Sequence, residues 1–138
     1  MTDVFLDAAF AIALSAPNDQ YHEAAVILAE QLEVDGARLI TTRAVVLEIG
    51  NALAKLRYRQ ASIELLISLE EDPTVEIIHI SEELYVRAFQ LYQARPDKEW
   101  GITDCISFMV MQDRNLSEAL TTDEHFEQAG FRALMRAL

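Results

Sequence analysis

Short apolar runs alternate along the chain with longer segments in which apolar residues recur at helical spacing. The apolar runs, several of them rich in β-branched residues, predict strands at 4–6, 39–40, 75–80 and 119–120, with a fifth at 131–134. The helical spacing predicts helices over 21–32, 43–57, 62–70, 82–94 and 104–114, and a further apolar stretch at 10–14 runs into a turn. Strands that alternate with crossover helices predict an α/β fold, a three-layer domain with a mostly parallel central sheet of four to five strands.

Several predicted helices are bounded by residues that commonly cap helices. Gly36 follows the first helix, where a residue that tolerates positive φ lets the chain leave the helix. Thr42, Ser81 and Thr103 each stand just before a helical segment, where a hydroxyl can accept a hydrogen bond from a free backbone N–H. These residues predict the places at which the chain enters and leaves its helices.

The length of 138 residues predicts one domain over 1–138. The one cysteine, Cys105, lies in an apolar helical run, so we expect a buried thiol and a reducing, cytoplasmic environment. No segment approaches the ~18–20 apolar residues that span a bilayer, and the N-terminus lacks the basic region of a secretory signal. We therefore expect no membrane partner.

The net charge of −12 is unfavourable for binding nucleic acid, because like charges repel the phosphate backbone. By itself this charge favours a protein or small-molecule partner. A cluster of carboxylates that holds a divalent cation reverses the sign locally, so a nucleic-acid substrate remains open.

Four acidic residues lie where the predicted fold would bring them together. Asp7 follows the first strand, Asp123 follows the fourth, and Asp104 begins an almost wholly apolar helix. Glu48 lies inside the second helix among apolar neighbours. Ligands in open parallel sheets gather beyond the carboxyl ends of the strands, so we expect these four acids to converge at one edge of the sheet.

Each acid taken alone has an ordinary explanation as well. Asp104 and Asp123 suit a helix start or a turn. Glu48 could extend to solvent or pair with Arg43 or Lys55. Only the convergence of all four acids would distinguish a site from these ordinary uses.

Three or four carboxylates held together call for a cation, and Mg²⁺ or Mn²⁺ prefers carboxylate oxygens. A bound ion of this kind lowers the pKa of a water and binds phosphodiester oxygens, which is the chemistry of phosphodiester hydrolysis with one or two metal ions. Other chemistries lack their motifs, since the chain has no Gly-rich phosphate loop and no Gly-x-Ser-x-Gly elbow. The three histidines show no zinc-ligand spacing among themselves, and Ala9 stands where an Asp-x-Asp phosphatase would have its second acid.

The chain resembles the PIN-domain family, and in particular the ribonuclease toxins of VapC-type toxin–antitoxin pairs. The resemblance spans nearly the whole chain and is most specific in the Thr-Asp-Cys-Ile-Ser-Phe block at 103–108 and the Thr-x-Asp-x-His-Phe block at 121–126. It implies an α/β/α domain that hydrolyses RNA with Mg²⁺ or Mn²⁺. By position, the implied catalytic and metal-binding acids are Asp7, Glu48, Asp104 and Asp123. The residues that could orient these acids, or equally serve as caps or packing residues, are Asn51, Thr103, Ser107 and Thr121.

The sequence departs from the family pattern directly after the first acid. The family commonly has a small hydroxyl or amide residue there, whereas this chain has Ala8 and Ala9. The missing hydrogen-bonding groups leave a second function class open, a PIN-like module that binds RNA or a protein with little or no hydrolysis.

The resemblance also implies partners. VapC-type toxins are neutralised by an antitoxin segment that lies in an apolar groove, and several of them form homodimers. Tyr21, Ile27 and Leu28 could line such a groove, although packing in the core is the more common use of such residues. The basic residues available for RNA phosphates are Arg38, Arg43, Lys55, Arg57, Arg59 and Lys98, and they form no evident stripe.

Overall fold

Five parallel strands form the central sheet in the computed structural model of the chain, which describes residues 3–136. The strands are β1 (Val4–Leu6), β2 (Leu39–Thr42), β3 (Val75–Ile78), β4 (Glu118–Leu120) and β5 (Arg132–Ala133). The helices are α1 (Ala8–Ser15), α2 (His22–Asp35), α3 (Arg43–Ala52), α4 (Leu56–Glu71), α5 (Glu82–Ala94), α6 (Ile102–Asp113) and α7 (Glu124–Gln128). None of these helices is long and apolar enough to cross a bilayer.

The strand order is β3-β2-β1-β4-β5, with β1 at the centre. β1 pairs with β2 through Val4 and Leu39, and with β4 through Leu6 and Leu120. The chain first builds the sheet outward on one side of β1 and then returns to build the other side. In sheets of this type a crevice opens where the direction reverses, here beyond the carboxyl ends of β1 and β4.

The helices fall into two groups according to the direction of the crossovers that contain them. α1 packs on α2 and α3, and α3 packs on α4, whereas α5 packs on α6 and α6 packs on α7. Right-handed crossovers running in opposite directions place these two groups on opposite faces of the sheet. The predicted three-layer α/β fold is confirmed.

The core lies between the sheet and these helices. Phe5, Leu6, Ile40 and Leu120 fill the middle of the sheet and are at most 1% exposed. α6 is buried continuously from Cys105 to Met111, which explains its almost unbroken apolar sequence. The predicted burial of Cys105 is confirmed, and this burial raises the pKa of its thiol to about 11.

Three of the predicted helix boundaries are found at their capping residues. Gly36 follows α2 with a φ of 66°, a left-handed conformation that glycine adopts without a steric penalty. The hydroxyl of Thr42 accepts a hydrogen bond from Val45 N at 3.2 Å, and that of Ser81 accepts one from Leu84 N at 3.0 Å. The fourth prediction is wrong, because Gly101 is the N-terminal cap of α6 and Thr103 already lies inside the helix.

The predicted single helix over 43–57 is also wrong. α3 ends at Ala52, and α4 begins at Leu56 rather than at Ser62. Between the two helices Leu53 is buried, and the Ala54 carbonyl accepts hydrogen bonds from Arg59 Nε at 3.1 Å and Arg59 Nη2 at 2.7 Å. Tertiary packing breaks the helix at 53–55. This segment contains no glycine or proline, so the sequence gives no sign of the break.

Two short helices beside the strand ends were not predicted. α1 begins at Ala8, so Ala8 and Ala9 occupy its first turn rather than an open turn, and the apolar stretch at 10–14 is the remainder of this helix. α7 lies directly after Asp123 and is anchored by Phe126, which is fully buried. Both helices begin immediately beyond a strand, and both therefore border the crevice.

Phe108 is the side chain on which the α6 face of the core depends, and we predict that Phe108→Ala is strongly destabilising. Its ring contacts those of Trp100, Phe126 and Phe131 at centroid distances of 5.0, 5.0 and 5.8 Å. The cavity left by the substitution should lower the free energy of unfolding by about 3–5 kcal/mol, measured by urea denaturation followed by circular dichroism.

The matched control is Phe89→Ala on α5, where the ring is 41% exposed. We expect this control to change the free energy of unfolding by less than about 1 kcal/mol. Equal losses in the two variants would show that Phe108 does not have the core role assigned to it.

Candidate metal centre

Asp7 lies at the floor of the crevice, directly beyond β1. Its backbone N–H donates to the Leu120 carbonyl of the neighbouring strand at 3.3 Å, and the residue is 8% exposed. Burial raises the pKa of its carboxyl to about 6, and the charges of Asp104 and Asp123 add to this effect. A hydrogen bond from Thr121 Oγ1 to Asp7 Oδ2, 2.7 Å long, acts in the opposite direction. Asp7 is therefore a carboxylate held in place at an electrostatic cost.

Asp104 reaches the same crevice from the first turn of α6. Its Oδ2 accepts hydrogen bonds from the Gly101 N–H at 3.2 Å and from the ring of His125 at 3.0 Å. Burial raises the pKa of Asp104, with a further contribution from Asp123, although both hydrogen bonds oppose the rise. The start of the helix thus fixes the direction of this side chain.

Asp123 follows β4 and forms the N-terminal cap of α7. Its Oδ1 accepts a hydrogen bond from the His125 backbone N–H at 2.9 Å, and its own N–H donates to Thr121 Oγ1 at 3.0 Å. The hydroxyl of Thr121, which is fully buried, therefore bonds to both Asp7 and Asp123. One threonine connects the ends of two adjacent strands.

Glu48 approaches the three aspartates from α3. As a residue it is exposed, but partial burial of its carboxyl raises the pKa to about 7, helped by the charges of Asp7, Asp104 and Asp123. Within residues 3–136 no ion pair involves Glu48, and Arg43, one of its suggested partners, pairs with Glu70 instead. The shared repulsion shows that all four predicted acids lie in one electrostatic cluster.

His125 is the site residue that sequence reasoning missed. Its Nδ1 lies 3.0 Å from Asp104 Oδ2 and 3.4 Å from Asp123 Oδ1, and donor atoms of the three residues all lie within 4.8 Å of one another. Spacing among the three histidines alone gives no sign of this position beside the two aspartates. The available signal was the Asp-x-His spacing at 123–125, because residues two apart across a helix start can face the same site.

The four predicted orienting residues behave differently. Thr121 contacts two of the acids, as described above. The hydroxyl of Ser107 is instead bonded to the Thr103 carbonyl of its own helix, at 3.1 Å. In the described part of the chain neither Thr103 nor Asn51 makes a side-chain hydrogen bond to any of the acids, and Asn51 is exposed. Of these four residues, only Thr121 has a side-chain hydrogen bond to the acids.

The donor set fits a hard divalent cation. Asp7, Asp104, Asp123 and Glu48 offer carboxylate oxygens, the ligand type that Mg²⁺ and Mn²⁺ favour. The raised pKa values of Asp7, Glu48 and Asp104 show that the site carries more negative charge than its surroundings stabilise. A cation among these residues would relieve the repulsion.

Most of the arginines suggested for phosphate contacts are engaged elsewhere. Arg38 pairs with Glu76 and Arg43 with Glu70, whereas Arg57 lies over the ring of Tyr58. Among the described residues no ion pair involves the two lysines of the predicted set, Lys55 and Lys98. Of the six suggested basic residues, only Arg38 and Arg43 form an ion pair within residues 3–136, so no carboxylate neutralises the charges of Lys55, Arg57, Arg59 and Lys98.

The suggested apolar groove on α2 is only partly correct. Tyr21 and Ile27 are 36% and 49% exposed, but Leu28 is buried at 6% and belongs to the core. A separate apolar cleft of about 450 Å³ lies between α1 and the start of α4, lined in part by Ile12, Leu53 and Tyr58. Exposed apolar surface is therefore present close to α1, but not at Leu28.

The parallel sheet, with acids beyond two adjacent strands and at two helix starts, defines an α/β domain with a carboxylate site at its topological switch point. The chain belongs to the PIN domain family, whose sequence profile matches residues 4–132. No curated protein sequence shows significant similarity to it.

Solved structures of VapC-type proteins share the fold. The chain is similar to VapC20 from Mycobacterium tuberculosis, described as a toxin that cleaves the sarcin–ricin loop, with a TM-score of 0.82 and 22% identity over 94% of this chain and 96% of that one. It is also similar to VapBC2 from Rickettsia felis, solved with a DNA fragment from its promoter, with a TM-score of 0.71 and 12% identity over 96% of this chain and 97% of that one.

The electrostatic cost at Asp7 leads to a prediction for the metal-free protein, namely that Asp7→Asn raises stability at pH 7.5. The folded-state pKa is about 6 against 3.8 for the ordinary carboxyl, so the folded protein retains a proton that the unfolded chain has lost. Wild-type stability therefore falls relative to the variant as the pH rises from about 4 to 6, and the difference reaches about 3 kcal/mol above that range. Urea denaturation of both proteins in EDTA at several pH values measures this difference in the free energy of unfolding.

Asp113→Asn, at the other end of α6, is the matched control. Arg87 lowers the pKa of Asp113, so this substitution should leave stability unchanged or slightly reduced. If Asp7→Asn proved as stable as wild type at every pH, the carboxyl would not be under the strain described.

Proposed function

We propose that the chain is a divalent-metal-dependent endoribonuclease that hydrolyses RNA phosphodiester bonds and acts as the toxin of a VapBC-type pair. The observation that carries the proposal is the convergence of Asp7, Glu48, Asp104 and Asp123 in one crevice of a PIN domain. The similarity to a structure described as a toxin that cleaves the sarcin–ricin loop supports RNA as the substrate class.

In this proposal the four acids hold Mg²⁺ or Mn²⁺. When bound, the ion lowers the pKa of a water and neutralises charge on the phosphodiester. The protein's own contribution is preorganisation, because Thr121 directs Asp7 and the Gly101 N–H directs Asp104 before any substrate arrives. Glu48 is the exposed member of the cluster.

The antitoxin is proposed as the regulating partner. The structural similarity to a VapBC pair supports it, and the apolar cleft beside α1 suits a short apolar segment of such a protein. A homodimer is an expectation from the family resemblance, and a cytoplasmic location is an expectation from the single cysteine, Cys105.

A second candidate function is supported by a specific observation. Ala8 and Ala9 place no hydroxyl or amide side chain beside Asp7, and the net charge of −12 disfavours RNA. Both observations count against efficient RNA hydrolysis, and they favour a PIN-like module that binds RNA or protein with little hydrolysis. The intact acidic cluster favours the nuclease.

Metal-dependent cleavage is the first test. Purified protein should cleave members of a panel of labelled RNAs with Mn²⁺ or Mg²⁺ and not with EDTA. Asp104→Asn should lower the cleavage rate by at least about 100-fold, because even residues that only orient metal ligands are worth 10–100-fold. Asp113→Asn, purified identically, should retain the wild-type rate.

The pattern of rates distinguishes the two functions. Cleavage that persists in EDTA or in Asp104→Asn would identify a contaminating ribonuclease or a different site. If the wild-type protein and Asp113→Asn are folded and both inert, the binding-module function takes the place of the nuclease.

The toxin assignment requires a test in cells. Expression of the wild-type chain in a bacterial host should arrest growth, and Asp7→Asn at an equal expression level should relieve the arrest, because the carboxylate between β1 and Thr121 is lost. Growth arrest by a protein lacking both Asp7 and Asp104 would show that toxicity does not arise from hydrolysis at this site.

A further inference from the structure

The side chain of His125 is fixed between two of the acids. Asp123 Oδ1 accepts a hydrogen bond of 2.9 Å from the His125 backbone N–H. This bond fixes the orientation of both residues at the start of α7. The next residue, Phe126, is fully buried and packs its ring against Phe5 and Phe108, so this short helix is fastened to the core. The His125 side chain is 23% exposed, which leaves it accessible from the crevice while its surroundings restrict the ring.

We propose that the ring nitrogen of His125 binds the same cation as Asp104 and Asp123, and that this nitrogen makes the site prefer Mn²⁺ to Mg²⁺. The inference rests on the metal site of the proposed function, and it adds a residue and a metal selectivity that the four acids alone do not imply.

The spacing of the donor atoms suits a shared ion. Adjacent ligand atoms around an octahedral ion with bonds of about 2.1 Å lie about 3 Å apart. His125 Nδ1 lies 3.0 Å from Asp104 Oδ2 and 3.4 Å from Asp123 Oδ1, so the nitrogen already lies at the separation of a neighbouring ligand from each oxygen, and donor atoms of the three residues all lie within 4.8 Å of one another. Little rearrangement of these side chains is needed for all three to face one cation.

The nature of the donor atom determines the selectivity. Mg²⁺ binds oxygen ligands, demands near-ideal geometry and gives up its waters reluctantly. Imidazole is a ligand for first-row transition metals, and Mn²⁺ is the member of that series that also favours carboxylates. Replacing one oxygen by a ring nitrogen in an otherwise carboxylate site therefore weakens the competition from Mg²⁺ more than that from Mn²⁺.

A simpler role for His125 is a hydrogen bond from Nδ1 that orients Asp104 without touching a metal. The same 3.0 Å separation suits that bond. The two roles differ in what an amide can replace. The side-chain amide of Asn can donate a hydrogen bond close to the position of Nδ1, but its nitrogen has no free lone pair to bind a metal.

The experiment measures metal binding without RNA. The dissociation constants of Mn²⁺ and Mg²⁺ are determined by isothermal titration calorimetry for wild type, His125→Gln, His125→Asn and His79→Gln, an exposed histidine that serves as the control. Pulsed electron paramagnetic resonance of the Mn²⁺-loaded proteins then detects the magnetic coupling of a directly bound ¹⁴N.

We expect ¹⁴N coupling in wild type and His79→Gln and none in either His125 variant. The preference for Mn²⁺, expressed as the ratio of the Mg²⁺ and Mn²⁺ dissociation constants, should fall about tenfold or more in both His125 variants, on the scale known for residues that support a metal site. His79→Gln should keep the wild-type ratio.

Two results would overturn the inference. One is Mn²⁺ binding to wild type without ¹⁴N coupling, and the other is a wild-type metal preference in His125→Asn, which would assign His125 to hydrogen bonding alone. RNA cleavage by the same preparations separates this inference from the proposed function. Cleavage without nitrogen coupling removes only the role of His125, nitrogen coupling without cleavage removes only the nuclease, and the absence of any metal binding removes both.

Discussion

The parallel pairing of β1 with β4 is the constraint on which the rest of the site depends. Because Leu6 lies opposite Leu120, the two strands end side by side, and the residues that follow them leave the sheet into the same crevice. The buried hydroxyl of Thr121 then bonds to Asp7 and to the backbone of Asp123, across 114 residues of chain in the first case. A shift of one residue in this register would turn Asp7 or Thr121 to the other face of the sheet, and the cluster would not form.

The same constraint stores unfavourable electrostatic energy in the folded protein. Asp7 is buried, and its pKa of about 6 shows that burial and neighbouring charge outweigh the favourable hydrogen bond from Thr121. The pKa values of Glu48 and Asp104 are raised as well. Two features moderate the effect, since Glu48 is exposed and Asp104 accepts two hydrogen bonds. Acids with raised pKa values that are concentrated in one cleft are typical of a functional site rather than of a structural ion-pair network.

The acidity of the whole chain and the chemistry of the crevice are also related. Several arginines outside the crevice are paired with carboxylates, including Arg38, Arg43, Arg87 and Arg114, so part of the positive charge of the surface is neutralised locally. A cation held by the acidic cluster would add attraction for an anionic substrate at the crevice, which is a local property and not one of the surface as a whole.

Sequence alone determined the features that depend on neighbouring residues. Apolar periodicity located the strands and most of the helices. Gly36 marked a helix end through its backbone conformation, and Thr42 and Ser81 marked helix starts through their hydroxyls. Strand ends, a helix start and an apolar helix indicated the four acids.

Tertiary structure decided the remainder. Leu53 ends α3 because the core accepts its side chain, and Ser107 bonds to its own helix rather than to the acids. His125 joins Asp104 across 21 residues, a contact that exists only once α6 and α7 have packed together. Local sequence patterns determine which secondary structure a segment prefers. The contacts of a side chain depend on how elements distant in sequence pack together.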